Sequence, residues 1–103
     1  MPLRKTKMLI IDVDGTMTDG RIYLDDAGNE MKAFSAHDGS ALKLLRETGI
    51  RVIFLTGRQS DSVTKRAGEL GVDEVHQGAE DKIAVLTRLL EQHKLGLHEV
   101  AYI

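Results

Sequence analysis

Short apolar runs that alternate with helical patterns constrain the fold of this chain more than any other feature. The runs are residues 8–11, 51–55 and 99–103, and residues 73–76 are a weaker candidate strand between them. Each run is shorter than an ordinary helix, which favours a buried strand. The helical patterns cover residues 40–47, 60–70 and 80–94. Alternating strands and helices predict one α/β domain over residues 1–103, with a parallel sheet covered by helices on both faces.

The ends of the helices follow from capping residues and apolar spacing. Gly49 and Gly71 are placed to end the first two helices, and Ser60 or Asp61 is placed to cap the second. The third helical pattern ends at Lys94, and Gly96 lies just beyond it. In that helix a stripe of apolar residues is expected to pack on the sheet: Ile83, Leu86, Leu89 and Leu90.

One segment, residues 20–35, interrupts the alternation and is predicted to form a β-hairpin. Two short stretches with weakly alternating apolar residues flank a loop of Asp, Ala, Gly and Asn, and Gly, Asn and Asp tolerate positive φ angles. Because the segment directly follows the first strand, we expect a flap that stands off the sheet. A lone hairpin is marginally stable in water, so we expect it to mediate self-association. Its apolar residues are Ile22, Leu24, Met31 and Phe34.

The composition excludes several classes of protein. With 42% hydrophobic and 29% charged residues, the chain resembles an ordinary folded domain rather than a disordered one. A net charge of −2 and 4% aromatic residues predict no nucleic-acid partner. No apolar run approaches the length of a membrane helix, and no secretory signal is present, so we expect no membrane partner and a cytoplasmic location. Without cysteine, disulfides and thiolate chemistry are excluded.

Two carboxylates at the end of the first strand are the central candidates for chemistry. Asp12 and Asp14 are two residues apart, so their side chains can point to the same side of an extended chain, and Gly15 then lets the backbone turn. Such a pair can divide its roles between a charged nucleophile that also binds a metal ion and a protonated general acid. The alternative is an Asp-Gly turn with no chemical role.

A second candidate site follows the next apolar strand, at Thr56, Gly57 and Arg58. A hydroxyl group, an unobstructed backbone amide and a nearby helix N-terminus are typical of a phosphate-binding loop. Arg58 could add a bidentate contact to a phosphate or carboxylate. The alternative is a loop that leads into a helix and carries a solvated arginine.

Lys82, at the start of the third helix, is the third candidate. A cation at a helix N-terminus is unfavourable to the helix dipole, which suggests that the ammonium group points at a phosphate and a carboxylate. The alternative is an ordinary surface lysine.

Three short stretches resemble, in the same order, the first three motifs of the haloacid-dehalogenase superfamily of phosphohydrolases. They are DVDGT, which begins at Asp12, LTGR, which begins at Leu55, and EDK, which ends at Lys82. The resemblance runs from about residue 7 to residue 103. It implies a Rossmann-like sheet in which the four predicted strands have the order 4-1-2-3. It also implies an enzyme that hydrolyses phosphate monoesters.

The same resemblance implies a role for each candidate residue. Asp12 would be the nucleophile and a ligand of Mg²⁺. Asp14 would be the general acid and base, and its backbone carbonyl would also bind the metal ion. Thr56 and Lys82 would bind the phosphate, and Gly57 and Arg58 are candidates for the same role.

The run DVDGTMTDGRIYLDDAGNEMKAF, followed by HDG and FLTGRQS, is similar to one capless subgroup of the superfamily, which contains 3-deoxy-D-manno-octulosonate 8-phosphate phosphatase. The spacing of the three motifs agrees with a capless domain. The hairpin, helices and strands fill the stretches between the motifs and leave no room for a cap domain. The resemblance implies a small phosphorylated sugar acid as substrate, in a lipopolysaccharide pathway. It further implies a homotetramer in which the hairpins form a barrel.

The family's fourth motif, an acidic GDDxxD-type loop, would follow the strand that ends at Ile103. The chain stops at that point, so we expect a domain truncated at its C-terminus, with weakened metal binding and little activity of these 103 residues alone. Two alternatives stay open. One is a non-catalytic oligomerisation module or the tail of a sugar-nucleotide synthetase, and the other is a phosphatase of macromolecular substrates.

Overall fold

A parallel β-sheet lies at the centre of the protein in a computed structural model that describes residues 6–21, 23–24, 26–28, 30–34 and 36–103. In chain order the elements are β1 (Met8–Asp12), β2 (Tyr23–Leu24), β3 (Glu30–Met31), α1 (Ala36–Glu47), β4 (Arg51–Leu55), α2 (Asp61–Leu70), β5 (Glu74–His76), α3 (Lys82–His93), a 3-10 turn (Leu97–Glu99) and β6 (Val100–Tyr102). The sheet has the order β5-β4-β1-β6, and its neighbouring strands are parallel. The predicted α/β fold and strand order are confirmed.

The central strands β1 and β4 are apolar on both faces, which is typical of parallel strands that are covered on both sides. Successive side chains point to opposite faces, so Ile11 and Phe54 belong to one core cluster, and Ile10 and Ile53 belong to the other. These four residues are at most 1% exposed. The register aligns Asp12 with Leu55, so that the two strands end side by side.

The helices divide between the two faces of the sheet. One face is covered by residues of α1 and α2: Leu42, Val63 and Ala67. The other face is covered by residues of α3: Val85 and Leu89. In the part of the chain that the structure describes, no helix has both the length and the apolar character that crossing a bilayer requires.

The first helix begins earlier than the sequence predicts, at Ala36 rather than near residue 40. Gly39 lies within this first turn, although glycine in a helix costs up to about 1 kcal/mol relative to alanine. The structure gives this glycine a packing role, since a Cβ at Gly39 would lie 2.9 Å from Leu70 Cδ2 of α2. The second helix agrees with its prediction, with Ser60 as N-cap and Gly71 as C-cap at φ +69°.

The predicted apolar stripe of α3 is wrong at Ile83, which is 75% exposed. A helix turns by about 100° per residue, so when Val85 and Leu89 face the sheet, Ile83 points to solvent. The predicted C-terminus is also corrected. The helix ends at His93, and Lys94 is its C-cap with a left-handed φ of 57°, so that Gly96 has no part in the cap.

The predicted hairpin is present as β2 and β3, which pair antiparallel. An isolated bridge between Thr18 and Phe34 joins its base, and Phe34 packs partly buried against the core under α1 and α2. Leu24 is 66% exposed at the tip. Ile22, which the sequence assigns to the apolar face of the hairpin, lies outside the described residues.

Candidate functional site

The end of β1 brings Asp12 to the carboxyl edge of the sheet, where parallel sheets bind ligands. The backbone amide of Asp12 donates a hydrogen bond to the carbonyl of Ile103, at 2.7 Å, so Asp12 is held between the neighbouring strands. In the sheet, β4 and then β5 lie on one side of β1, and β6 lies on its other side, so the strand order reverses at β1. Asp12 therefore lies at the topological switch point of the fold.

The chain turns sharply after Asp14. Gly15 adopts a φ of +83°, a left-handed conformation that favours glycine. The hydroxyl oxygen of Thr18 accepts hydrogen bonds from the backbone amides of Gly15 and Gly20, each at 3.1 Å. The loop that carries Asp14 is thus held by its own hydrogen bonds.

Lys82 reaches Asp12 from the first residue of α3. Its Nζ lies 3.4 Å from Asp12 Oδ2, and the two side chains are 38% and 33% exposed, respectively. Asp81 caps the helix, since its Oδ1 accepts a hydrogen bond from the backbone amide of Ala84 at 3.1 Å. The contact with Asp12 compensates for the unfavourable position of the Lys82 ammonium in the helix dipole.

Each carboxylate oxygen of Asp14 has a donor. The Lys32 ammonium forms a close ion pair with Oδ1, and the Thr56 hydroxyl donates to Oδ2 at 3.2 Å. Lys32 lies just after β3, so the hairpin contributes a charged group to the site. The structure therefore combines two aspartates with two lysines, and each aspartate faces a different lysine.

The loop after β4 is rigidly held at Thr56, which is 1% exposed. Its backbone amide donates to the carbonyl of His76 at 2.9 Å, and its carbonyl accepts from the amide of Ala79 at 3.0 Å. The backbone amide of Arg58 donates to the Thr56 hydroxyl oxygen at 3.3 Å. Gly57 passes close to the neighbouring loop, since a Cβ there would lie 3.4 Å from the carbonyl oxygen of Ala79. Gly57 and Arg58 are exposed beside the buried threonine.

The base of the hairpin carries a further polar contact at Asp19. Its carboxylate accepts a hydrogen bond from the Tyr23 hydroxyl at 2.7 Å and from the Arg21 amide at 2.9 Å. The bond from Tyr23 is the largest cause that lowers the pKa of Asp19, followed by the bond from Arg21. The same bond with Asp19 raises the pKa of the Tyr23 hydroxyl.

The structure brings together four of the candidates from the sequence: Asp12, Asp14, Thr56 and Lys82. Lys32 is the residue that the sequence analysis missed. It lies two positions before Phe34, so both side chains lie on the same side of an extended chain, and Phe34 is partly buried. This register indicates only the side of the chain on which Lys32 lies, and it does not identify Asp14 as the partner.

The described residues contain no cluster of three or more His, Asp or Glu side chains that could hold a metal ion by themselves. His76 and His93 instead contact the carboxylate of Glu74, at 3.2 and 2.5 Å, respectively. Asp12 still fits a magnesium ion, because Mg²⁺ is usually bound by one or two carboxylates, by water and by substrate phosphate oxygens. The partly exposed carboxylate of Asp12 provides one such donor.

Comparisons with known proteins show which proteins this chain is similar to. The chain is 39% identical over 97 residues to 3-deoxy-D-manno-octulosonate 8-phosphate phosphatase KdsC of Yersinia pestis, covering 94% of this chain and 52% of that protein. The enzyme of the same name from Escherichia coli K12 is 36% identical over the same shares. The chain thus spans about half the length of the curated relatives that it matches. No family model matches the chain.

Solved structures agree in fold and sequence. A probable phosphatase from Pseudomonas syringae superposes with a TM-score of 0.94 at 40% identity, over 97% of this chain and 57% of that one. The 3-deoxy-D-manno-octulosonate 8-phosphate phosphatase of Moraxella catarrhalis was solved with a magnesium ion, a phosphate ion and the sugar acid. It superposes with a TM-score of 0.93 at 38% identity, over 97% of this chain and 57% of that one. The resemblance inferred from the motifs is confirmed. The chain is a homologue of the 3-deoxy-D-manno-octulosonate 8-phosphate phosphatases and has the fold of the haloacid-dehalogenase superfamily.

Proposed function

We propose that the protein is a magnesium-dependent phosphatase that hydrolyses the monoester of a small phosphorylated sugar acid through an aspartyl-phosphate intermediate. The observation that carries this proposal is the meeting of Asp12, Asp14, Thr56 and Lys82 at the carboxyl edge of the sheet. These residues come from three separate parts of the chain. Their charges and hydrogen-bonding groups match what phosphoryl transfer requires, namely a nucleophile, a proton carrier and cations.

Asp12 is the nucleophile in this mechanism. Its carboxylate is partly open to solvent, so a phosphate can approach it, while its backbone is fixed between two strands. The carboxylate oxygen attacks phosphorus in line, and the bond from phosphorus to the sugar oxygen breaks. Water then attacks phosphorus of the aspartyl phosphate, which releases inorganic phosphate and restores Asp12.

Asp14 carries the proton in both steps. It gives a proton to the leaving sugar alkoxide and later accepts one from the attacking water, which is the work of one general acid and base. Its position two residues after Asp12 supports this role, because both carboxyl groups belong to the segment at the carboxyl end of β1. The bond from Thr56 to Oδ2 orients the group.

Lys82 and the loop after β4 bind the phosphoryl group. The Lys82 ammonium lies on the open side of Asp12, where it can offset negative charge on the phosphoryl oxygens. Gly57 and Arg58 are exposed beside Thr56, and a backbone amide and a guanidinium group are both suitable anion ligands.

Magnesium would be held by the carboxylate of Asp12 and the backbone carbonyl of Asp14. When bound, the ion supplies positive charge that stabilises the phosphoryl oxygens during transfer. The chemistry of the donors fits, since both are hard oxygen ligands. The Moraxella catarrhalis relative was solved with a magnesium ion and the Haemophilus influenzae relative with cobalt, which supports a divalent cation here.

The substrate class follows from the relatives, which are named for 3-deoxy-D-manno-octulosonate 8-phosphate. We propose a phosphorylated sugar acid of this type and a homotetramer that covers the site of each subunit. A partner subunit would exclude water from a site that has no cap of its own, which strengthens electrostatic catalysis.

Release of inorganic phosphate tests the proposal. The protein is assayed as the chain that ends at Ile103 and in any longer form that its gene encodes, with Mg²⁺ or with EDTA. The substrates are 3-deoxy-D-manno-octulosonate 8-phosphate, a hexose 6-phosphate and a phosphopeptide. We expect magnesium-dependent turnover that is fastest with the sugar acid. Preference for the phosphopeptide, or no turnover by any form, would contradict the proposal and favour a macromolecular substrate or a non-catalytic module, respectively.

A further inference from the structure

We propose that Lys32, contributed by the hairpin, is a positioning residue that fixes the orientation of the Asp14 carboxyl group for proton transfer. This inference rests on the proposed function, because it assigns a part in that reaction. It concerns a residue that lies inside the run similar to the capless subgroup but to which that resemblance assigns no role.

The burial of Lys32 is the first observation. Its side chain is 1% exposed, whereas that of Asp14 is 32% exposed. Lysine is almost never fully buried unless its charge is paired, and the partner here is the carboxylate of Asp14. The Lys32 side chain is therefore covered by protein, whereas about a third of the Asp14 side chain stays in contact with solvent.

The contrast with Lys82 distinguishes a positioning role from direct contact with substrate. Lys82 is 38% exposed and faces Asp12, so a phosphate can reach its ammonium group. The side chain of Lys32 has almost no accessible surface from which to bind a substrate. Its effect on the reaction must pass through Asp14.

The geometry shows what Lys32 adds to Asp14. Thr56 donates to Oδ2 and Lys32 pairs with Oδ1, so the two donors together restrict rotation of the carboxyl group. With Thr56 alone, the group could turn about its terminal bond, because that torsion is broad in aspartate. Proton transfer to a leaving group needs one carboxyl oxygen to be held within hydrogen-bond reach.

The hairpin supplies the rigidity that this role requires. Lys32 lies between β3 and the bridge from Thr18 to Phe34, and Phe34 is packed against the core. The ammonium is thus attached to backbone that is held on both sides. The pair also links the hairpin to the catalytic loop, so placement of the hairpin and orientation of Asp14 depend on each other.

Two kinds of phosphate ester test this role, because they differ in their need for a general acid. The alkoxide of the sugar leaves poorly without a proton, whereas p-nitrophenolate is a weak base that leaves readily without one. The measurement is kcat/KM, which reports the step in which the leaving group departs. For Lys32→Met we expect a loss of about 100-fold with the sugar-acid phosphate, but less than about threefold with p-nitrophenyl phosphate.

Lys94→Met is the matched control, because Lys94 is exposed at the opposite end of α3. Its kcat/KM should be unchanged with both esters. In an Asp14→Asn background, Lys32→Met should change kcat/KM for either ester by less than about twofold, since residues that act through one another are not additive. Circular dichroism and thermal melting establish that each variant folds. If Lys32→Met does not fold, Lys32→Gln, which is polar but lacks the charge of the ion pair, is compared with the parent on the same pair of esters and should show the same selective loss with the sugar-acid phosphate.

An equal loss with both esters would mean that Lys32 only supports the fold, and an unchanged rate would mean that the pair has no part in the reaction. Either result overturns the inference while the proposed function stands. A parent protein without turnover on either ester would contradict the proposed function, and the positioning role would fall with it.

Discussion

Asp12 Oδ2 lies 3.4 Å from Lys82 Nζ, so a carboxylate at the end of the first strand meets an ammonium group at the start of the last helix. Both side chains keep about a third of their surface in contact with solvent. A phosphoryl group can therefore approach the pair from outside and interact with both charges. The contact also explains how the chain tolerates a lysine at a helix N-terminus.

Asp12→Asn is expected to lower phosphatase activity by at least about a thousandfold, because the amide keeps the size of the side chain but lacks the charge that attacks phosphorus. The fold should survive, since the backbone contacts of Asp12 are unchanged. Phosphate release with magnesium measures the effect, and Asp26→Asn, in the exposed turn of the hairpin, is the control. Activity within tenfold of the parent would rule out Asp12 as the nucleophile.

Lys82→Met is expected to lower kcat/KM by about 100-fold, a loss typical of removing one group that stabilises charge in the transition state. A larger effect on kcat than on KM would locate the contribution in the transition state rather than in ground-state binding. Steady-state kinetics with the sugar-acid phosphate measure both constants, beside Lys94→Met as control. A change smaller than threefold would make Lys82 an ordinary surface lysine.

Much of the fold could be predicted because its signals are local or periodic. The buried runs at β1 and β4 are apolar at every position that faces a helix, and the carboxyl ends of parallel strands meet at one edge. Asp12, Asp14 and Thr56 could therefore be grouped from the sequence alone. The side of α3 that faces the sheet was harder, because Ile83 fits an apolar stripe by spacing yet points to solvent. The rotation of α3 about its axis is shown by the contact of Lys82 with Asp12 and by the packing of Val85 in the core.

Lys32 could not be assigned from the sequence, because its partner is determined by tertiary packing. Among the residues that the structure describes, each strand of the hairpin has two paired residues, and so short an alternation does not define which face is buried. The direction of the hairpin over the loop after β1 depends on the bridge at Thr18 and on Phe34 in the core. Neither is visible as a local pattern.

Protonation of Asp19 is expected to loosen the base of the hairpin at low pH. Its pKa is lowered in the folded protein, chiefly by the bond from Tyr23, so its contribution to stability is present above the ordinary pKa of aspartate. That contribution is lost as the pH falls through the lowered pKa. Tyr23→Phe removes the hydrogen bond that contributes most to the lowered pKa of Asp19, so this pKa should rise toward its ordinary value.

Carbon-13 NMR of the Asp19 carboxyl group measures this pKa in the parent and in Tyr23→Phe. Tyr102→Phe is the control, because Tyr102 is 44% exposed, close to the 40% of Tyr23, but lies in β6. An unchanged pKa in Tyr23→Phe would mean that the bond to Asp19 does not persist in solution.

Leu24→Lys is expected to reduce self-association of the protein. Leu24 is 66% exposed on a hairpin that extends from the sheet, and a charge there opposes burial against another subunit. Light scattering should show a smaller mass, with an unchanged circular-dichroism spectrum. Leu44→Lys is the matched control on α1, since Leu44 is 65% exposed. An equal loss of mass in both variants would indicate general destabilisation, and no loss in Leu24→Lys would remove the hairpin from the interface.

Leu89→Ala and Ile83→Ala are expected to differ strongly in stability, although both residues belong to the apolar pattern of α3. Leu89 is 1% exposed and packs in the core with Ile10 and Leu55, so its truncation leaves a cavity and should cost about 2–5 kcal/mol. Ile83 is 75% exposed, so its truncation should change the free energy of unfolding by less than about 0.5 kcal/mol. Urea unfolding followed by circular dichroism measures both values. Similar losses in the two variants would show that α3 is rotated in solution relative to the orientation that brings Lys82 to Asp12.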